Sequence, residues 1–281
     1  MVRLGSMIDQ YRVTGNPIKH SLSPRIHSHF AQTTGESLEY TAQLLEADTF
    51  MGTLETQLIS GEIRGSNVTL PFKELAWQLA KVRTARAETA GAANTLWLNE
   101  RGEICADNTD GVGLLTDLKN NLGLELAGKR VLILGAGGAV RGVIQPMLEA
   151  NVASVVIANR TVSKAQIIAD VFAGAPVSAC GYNEIQGPAY DLIVNGTSAS
   201  IGGELPPIPA EAIDANSCGY DMMYGAEQTP FCAWCEQQGA RAIDGLGMLV
   251  EQAAESFAIW RGVKPETAGI LNELRAELQH K

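Results

Sequence analysis

The run GAGGA, made of Gly135, Ala136, Gly137, Gly138 and Ala139, follows directly on the apolar segment KRVLIL at Lys129 to Leu134. Glycines at the end of a strand let the backbone approach a pyrophosphate, and the helix that follows offers unpaired amides and the positive end of its dipole. The pattern departs from strict G-x-G-x-x-G, because Val140 takes the last glycine position. A second apolar strand, SVVIA at Ser154 to Ala158, ends in Asn159, Arg160 and Thr161, with Lys164 close by. An NAD site puts an acidic residue at that point to hold the ribose hydroxyl, whereas arginine suits a 2′-phosphate. The chemistry read here is therefore NADP(H) binding. The competing reading is a solvated arginine in a surface loop, with NAD as the second cofactor.

Other polar clusters stand between apolar segments. In HSLSPRIH, Ser21 and Ser23 point to one side if the segment is extended, and Ser23 before Pro24 suits a helix N-cap. In SNVTLPFKE, strand alternation sets Asn67 and Thr69 on a polar face and Val68 and Leu70 on an apolar one. Lys73 falls in the first turn of the helix FKELAWQLA, where a cation opposes the dipole, so a chemical role explains it better than stability does. Asn94 and Thr95 in GAANTLW, and Asp107 to Asp110 in DNTDG, occupy loop positions. Asp110 equally suits a helix cap, and Gln252 in GLGMLVEQAAESF equally suits a buried, backbone-bonded glutamine.

The elements that must position these groups are legible in outline. The strands at 129–134 and 154–158, and a third at Asp191 to Val194, alternate with helical segments and give a parallel sheet. Residues before about Asp110 hold their own strands and helices without a glycine signature. From Gly245 onward Leu249, Val250, Ala253, Ala254, Phe257 and Trp260 recur at helical spacing, and Pro265 is expected to open a further amphipathic helix. A chain of 281 residues suits two domains with a cleft, and 46% hydrophobic with 19% charged residues is a globular composition. A formal charge of −10 argues against a nucleic-acid partner. No apolar run is long enough for a membrane span and no secretory signal is evident, so a cytoplasmic location is expected. Met1 to Ser6 reads as an expression scar. Five scattered cysteines suggest reduced thiols, and the C-x-x-C pair Cys232 and Cys235 reads as structural within a helix. His20, His27, His29 and His280 show no ligand spacing, so no metal is expected.

Taken in order, GNPIKHSLSP, NVTLPFKE, GAANTL, DNTDG, GAGGA, NRT, YDMMY and GLGMLVEQ resemble the shikimate dehydrogenase family over almost the whole chain. The resemblance implies a two-domain α/β fold: a Rossmann-type NADP-binding domain at 111–244, and an α/β substrate domain at 7–110 completed by the C-terminal helices at 245–281. It implies reversible reduction of 3-dehydroshikimate to shikimate with NADPH, in aromatic amino acid (chorismate) biosynthesis. It also implies a catalytic pair, Lys73 and Asp110. Ser21, Ser23, Asn67, Thr69, Asn94, Gln252 and Tyr224, with that pair, are implied to hold the substrate. Gly135 to Ala139, Asn159, Arg160, Thr161 and Lys164 are implied to bind NADP, with Met222 and Gly245 beside the nicotinamide. The loop GTSAS at Gly196 to Ser200 departs from the usual ATSAG-like run, which leaves its contacts open. Two alternatives stand: a quinate/shikimate enzyme preferring NAD, and a non-catalytic binding protein on the same scaffold. The oligomeric state is open, a homodimer being one option.

Overall fold

The computed structural model describes residues 8–279, so Met1 to Ser6 and His280 lie outside the described residues. Two compact units divide the chain. The first comprises the residues up to Thr109 with Gln252–Ile270, the second Asp110–Glu251 with the chain from Leu271 on. The tail from Gly245, expected to belong wholly to the substrate domain, is thus shared between the units.

The first unit contains β1 (Asp9–Gly15), α1 (Ser23–Thr34), β2 (Leu38–Leu44), α2 (Phe50–Ile59), β3 (Gly65–Val68), α3 (Lys73–Leu79), β4 (Val82–Arg83), α4 (Ala85–Ala90), β5 (Thr95–Leu98) and β6 (Ile104–Asp107). They form one mixed sheet in the order β2-β1-β3-β5-β6-β4. β1 pairs in parallel with β2 and β3, while β5 runs antiparallel to both β3 and β6. The end of β3, the start of β5 and the end of β6 therefore share one edge of the sheet. All four residues of β3 are buried, so the strand has no solvated face. Phe50, Leu54 and Leu58 of α2, Ala76 of α3 and Phe72 just before α3 pack in the core of this unit.

The second unit contains α5 (Asp110–Thr116), running into a wide π-helical turn at Asp117–Asn121, then β7 (Arg130–Leu134), α6 (Gly138–Glu149), β8 (Ser154–Ala158), α7 (Val162–Val171), β9 (Val177–Cys180), β10 (Leu192–Asn195), β11 (Cys218–Asp221), α8 (Pro230–Gln237) and β12 (Arg241–Asp244). Its sheet is wholly parallel, in the order β12-β11-β10-β7-β8-β9. Counted from β7, this is the doubly wound dinucleotide-binding order, whose switch point falls between β7 and β10. The strands are near-continuous apolar runs because helices bury both faces.

Two C-terminal helices, α9 (Leu246–Arg261) and α10 (Ala268–Gln279), complete the chain. Helix α10 begins three residues beyond Pro265, which is buried in the preceding turn. In the first unit Trp260 of α9 stacks on Tyr11 at 4.7 Å and donates to the Leu96 carbonyl at 3.2 Å. Gly65 makes room for it, since a Cβ there would lie 2.6 Å from the indole nitrogen. Arg261 pairs with Asp9 and Glu36. In the second unit the start of α9 leans on Tyr220, whose hydroxyl accepts from the Met248 N–H at 3.2 Å and donates to Asp117 at 2.7 Å. Arg275 of α10 holds Asp244 at 2.6 Å. No helix among the described residues is long and apolar enough to cross a membrane.

Candidate active site

In the first unit, Lys73 is placed by backbone ties on both sides. Phe72 before it is buried against Phe50 at 4.6 Å, with its N–H bonded to the Thr69 carbonyl. The Lys73 carbonyl accepts from the Ala93 N–H at 2.8 Å, joining the start of α3 to the GAANT segment. Lys73 is the first residue of α3, at the dipole end where a cation is unfavourable. Thr69 lies beyond the end of β3, its N–H bonded to the Thr14 carbonyl.

Asn67 and Asn94 meet at the shared sheet edge. Asn67 Nδ2 donates to the Asn94 carbonyl at 3.0 Å and to Ser256 Oγ at 2.9 Å, and Tyr40 donates to its Oδ1 at 2.7 Å. Asn94 Nδ2 donates to Thr109 Oγ1 at 2.8 Å and to Gln252 Oε1 at 3.2 Å. The sequence reading names Asn67, Asn94 and Gln252, singles out Thr95 and the 107–110 segment as polar loop positions, and misses Ser256 and Tyr40; Thr95 opens β5 rather than lying in a loop. Ser256 stands four residues beyond Gln252, hence on the same helix face, a spacing that makes it findable. The DNTDG segment is anchored by Asp107, which ends β6. Its carboxylate takes a two-pronged contact from Arg86, both arms at 2.7 Å, and accepts from Thr84 and from the Asn108 N–H. Arg86 also reaches Glu255 of α9 at 2.8 Å.

Ser21 and Ser23 are arranged differently from the sequence expectation. Leu22, not Ser23, caps α1 and has helical rather than extended backbone angles, so the two hydroxyls are not displayed by strand alternation. Ser23 is the first helical residue and buried, and its N–H is bonded by Ser21 Oγ at 3.3 Å. Ser21 thus has a local structural task, holding the Ser23 N–H, and neither serine is the N-cap.

In the second unit the proposed cofactor residues lie just beyond the carboxyl end of a parallel strand or in the first turn of the helix that follows it, the edge where doubly wound sheets take ligands. Gly135, at φ +102, needs to be glycine. Gly137 has extended backbone and caps α6 without a side-chain hydrogen bond, and a Cβ on it would meet no atom within 4 Å. Open space before uncapped helix amides, with no acidic residue in the first turn, fits a pyrophosphate. Val140 is buried, and a Cβ on Gly196 would lie 2.4 Å from its Cγ2. The two departures in sequence, valine for glycine and the altered GTSAS loop, are opposite sides of one contact. Arg160, Thr161 and Lys164 are exposed at the start of α7, which also lacks a side-chain cap and an acidic first turn. Asn159 donates to the Thr161 carbonyl at 2.8 Å, shaping that turn.

Buried Asp221, at the end of β11, accepts from Asn195 at 3.1 Å, from Thr229 at 2.7 Å and from the Met223 N–H at 3.0 Å, fixing the turn that carries Met222 and Tyr224. A Cβ on Gly245 would lie 2.3 Å from the Met222 carbonyl oxygen, so glycine permits that approach. Burial pushes the Tyr224 phenol up to about 12, keeping it a neutral donor. Asp110 is buried at the start of α5. Cys232 and Cys235 are buried in α8, Cys235 against Gly219, and burial raises their thiols to about 11 and about 12. Both lack thiolate character, as the structural reading requires. Among the described residues no cluster of His, Cys, Asp and Glu could hold a metal.

A Rossmann unit with a glycine turn at its switch point, carried in one chain with an α/β unit whose sheet edge gathers amides, hydroxyls and a lysine, defines a two-unit dinucleotide-dependent oxidoreductase. Residues 13–96 match the shikimate dehydrogenase substrate binding domain, 117–201 the shikimate / quinate 5-dehydrogenase domain, and 245–275 the shikimate 5′-dehydrogenase C-terminal domain. The NADP(+) shikimate dehydrogenase of Marinobacter nauticus is 55% identical over 96% of this chain and 99% of its own. The Ael1 enzyme of Pseudomonas putida has a crystal structure that superposes with a TM-score of 0.88 at 45% identity, covering 95% of this chain and 98% of that one. The shikimate 5-dehydrogenase of Thermus thermophilus, crystallised with NADP(H) and shikimate, gives 0.84 at 31% identity over 96% and 99%. The chain belongs to the shikimate dehydrogenase family.

Proposed function

We propose that this protein interconverts 3-dehydroshikimate and shikimate with NADP(H) in aromatic amino acid biosynthesis. The observation that carries the reading is the amide network of buried Asn67 and Asn94 with half-buried Gln252, which suits a small polyhydroxylated substrate, joined in one chain to a Rossmann unit with Arg160 at its second strand. When bound, the dinucleotide supplies or accepts the hydride. Gly135 to Ala139 hold its pyrophosphate, Arg160, Thr161 and Lys164 with Asn159 its 2′-phosphate end, and Met222 and Gly245 flank the nicotinamide. Ser21, Ser23, Asn67, Thr69, Asn94, Gln252 and Tyr224 bind and orient the substrate. Lys73 and Asp110 act on the same substrate. The Lys73 ammonium stabilises the developing alkoxide and gives it a proton, and the Asp110 carboxylate orients a substrate hydroxyl. This assignment also explains a lysine at an unfavourable helix end. The first unit takes the substrate and the second the dinucleotide; the protein is cytoplasmic, and a homodimer is compatible with the reading.

Initial rates with shikimate or quinate, each with NADP or NAD, test the proposal. Turnover confined largely to shikimate with NADP is expected. Comparable rates with quinate and NAD point to the broader enzyme, and silence in all four to a binding protein.

A further inference from the structure

We propose that Arg86 is a positioning residue for substrate binding: its guanidinium clamps the end of β6 to α9 and so keeps Asn94 and Gln252 in register. The proposal rests on the reading of those two amides as substrate residues. Arg86 is the second residue of α4, at the end of the helix where the dipole disfavours a cation, so helix stability does not account for it. Its partners do. Nε donates to Asp107 Oδ1 at 2.7 Å, while Nη2 donates both to Asp107 Oδ2 at 2.7 Å and to Glu255 Oε1 at 2.8 Å. Nη2 carries two hydrogens, so each carboxylate takes one of them. This arrangement requires the planar fork of arginine, which a lysine ammonium cannot reproduce. Asp107 is buried, and the Thr84 hydroxyl and the Asn108 N–H that also donate to it are neutral.

Both carboxylates stand one step from the substrate amides. On the strand side, the Asp107 carbonyl accepts from the Asn94 N–H at 3.0 Å, and Thr109, two residues on, gives its N–H to Asn94 Oδ1 at 2.9 Å. On the helix side, Glu255 lies three residues beyond Gln252 and next to Ser256, whose hydroxyl meets that of Thr95 at 2.8 Å. Consecutive helical residues point about 100° apart. Contacts at Ser256 and at Glu255 therefore hold α9 from two directions, which fixes its rotation against the sheet. The bond that depends on this rotation runs from Asn94 Nδ2 to Gln252 Oε1. At 3.2 Å it is longer than the Asn94 bonds to Thr109, so a small turn of the helix breaks it first. Arg86, Asp107 and Glu255 all belong to the first unit, so the effect falls on the substrate and not on the dinucleotide.

The test compares KM values and thermal midpoints of Arg86→Met and Glu255→Ala with wild type. Glu255→Ala leaves the Asp107 fork whole and removes only the tie to α9. The expected KM for shikimate rises roughly ten- to hundredfold in Arg86→Met and about three- to tenfold in Glu255→Ala, whose pair is more exposed, with KM for NADP unchanged in both. Arg86→Lys, which keeps the charge without the fork, should follow Arg86→Met. Guanidinium added to Arg86→Ala should lower the raised KM where ammonium does not. The double variant Arg86→Met/Asp107→Asn removes the bare buried charge and should recover the thermal midpoint while KM stays high; with Glu255→Ala it carries the test if Arg86→Met does not fold. Wild-type KM in Glu255→Ala overturns the proposal, since the tie to α9 is then idle. Full recovery of KM in the double variant does so too, because Arg86 is then a counter-charge only. Lowered midpoints with KM unmoved, the mark of a structural role, have the same force. A wild-type protein silent toward shikimate overturns the functional reading, and this proposal with it.

Discussion

At the scale of single residues the account turns on Lys73. Its removal by Lys73→Ala should lower kcat by about 10²- to 10⁴-fold while the substrate KM moves far less, the pattern of a group acting in the transition state. A fall in binding with kcat intact would contradict the acid role. His27 shows how burial sets a different behaviour. Wholly enclosed and stacked on Tyr40 at 4.1 Å, its imidazole is pulled by burial from 6.5 to about 3. The unfolded chain therefore binds a proton that the folded one refuses between those values. The contribution is intact above pH 6.5 and is lost as pH falls toward 3, by up to about 1.4 kcal/mol per pH unit. His27→Phe should flatten that part of the curve, as urea midpoints measured across the acid range will show; parallel curves for both proteins would count against it. Site amides such as Asn67, Asn94 and Gln252 are legible in sequence because a polar side chain amid apolar neighbours needs an explanation. Ser256, Thr95 and Thr109 are not, since hydroxyl residues are read as caps or turns until their partners from other elements are known.

At the scale of elements, glycines record contacts that sequence alone leaves as turns. Gly111 lies in α5, where a Cβ would fall 2.3 Å from the Gly142 carbonyl oxygen and 2.5 Å from Pro146 of α6. Gly111→Ala should cost about 1–3 kcal/mol and displace the helix that begins with Asp110, lowering turnover as well as the thermal midpoint. Unchanged values for both would contradict the close approach. Val140 and Gly196 form a reciprocal pair of the same kind. Gly196→Ala alone should destabilise by about 1–3 kcal/mol and raise KM for NADP, and adding Val140→Ala should recover much of both. Strict additivity in that double-mutant cycle would show that the pair does not communicate. Strand periodicity places β7, β8 and β10 to within a residue or two, because buried parallel strands are apolar throughout. The start of α10 is displaced because Pro265 is spent in the turn before the helix.

At the scale of the whole molecule, two domains and a Rossmann order follow from length, a glycine turn and alternating strands and helices. The sharing of α9 between units is not legible. Its apolar positions recur without interruption from Leu249 to Trp260, and what divides it is its partners: Tyr220 and Asp117 at one end, Tyr11 and Leu96 at the other. With a net charge of −10, the proposed binding of anionic NADP(H) rests on the local features assigned to it, Arg160, Lys164 and uncapped helix ends, rather than on the overall field. The central claim is that hydride passes between the dinucleotide and a ring carbon of the substrate. The measurement that tests it most directly follows deuterium from NADPH labelled at the transferable position during reduction of 3-dehydroshikimate. The account predicts one deuterium on the carbon that carries the newly formed hydroxyl of shikimate, with stoichiometric NADPH oxidation. NADPH left unconsumed, or shikimate formed without the label, would contradict it.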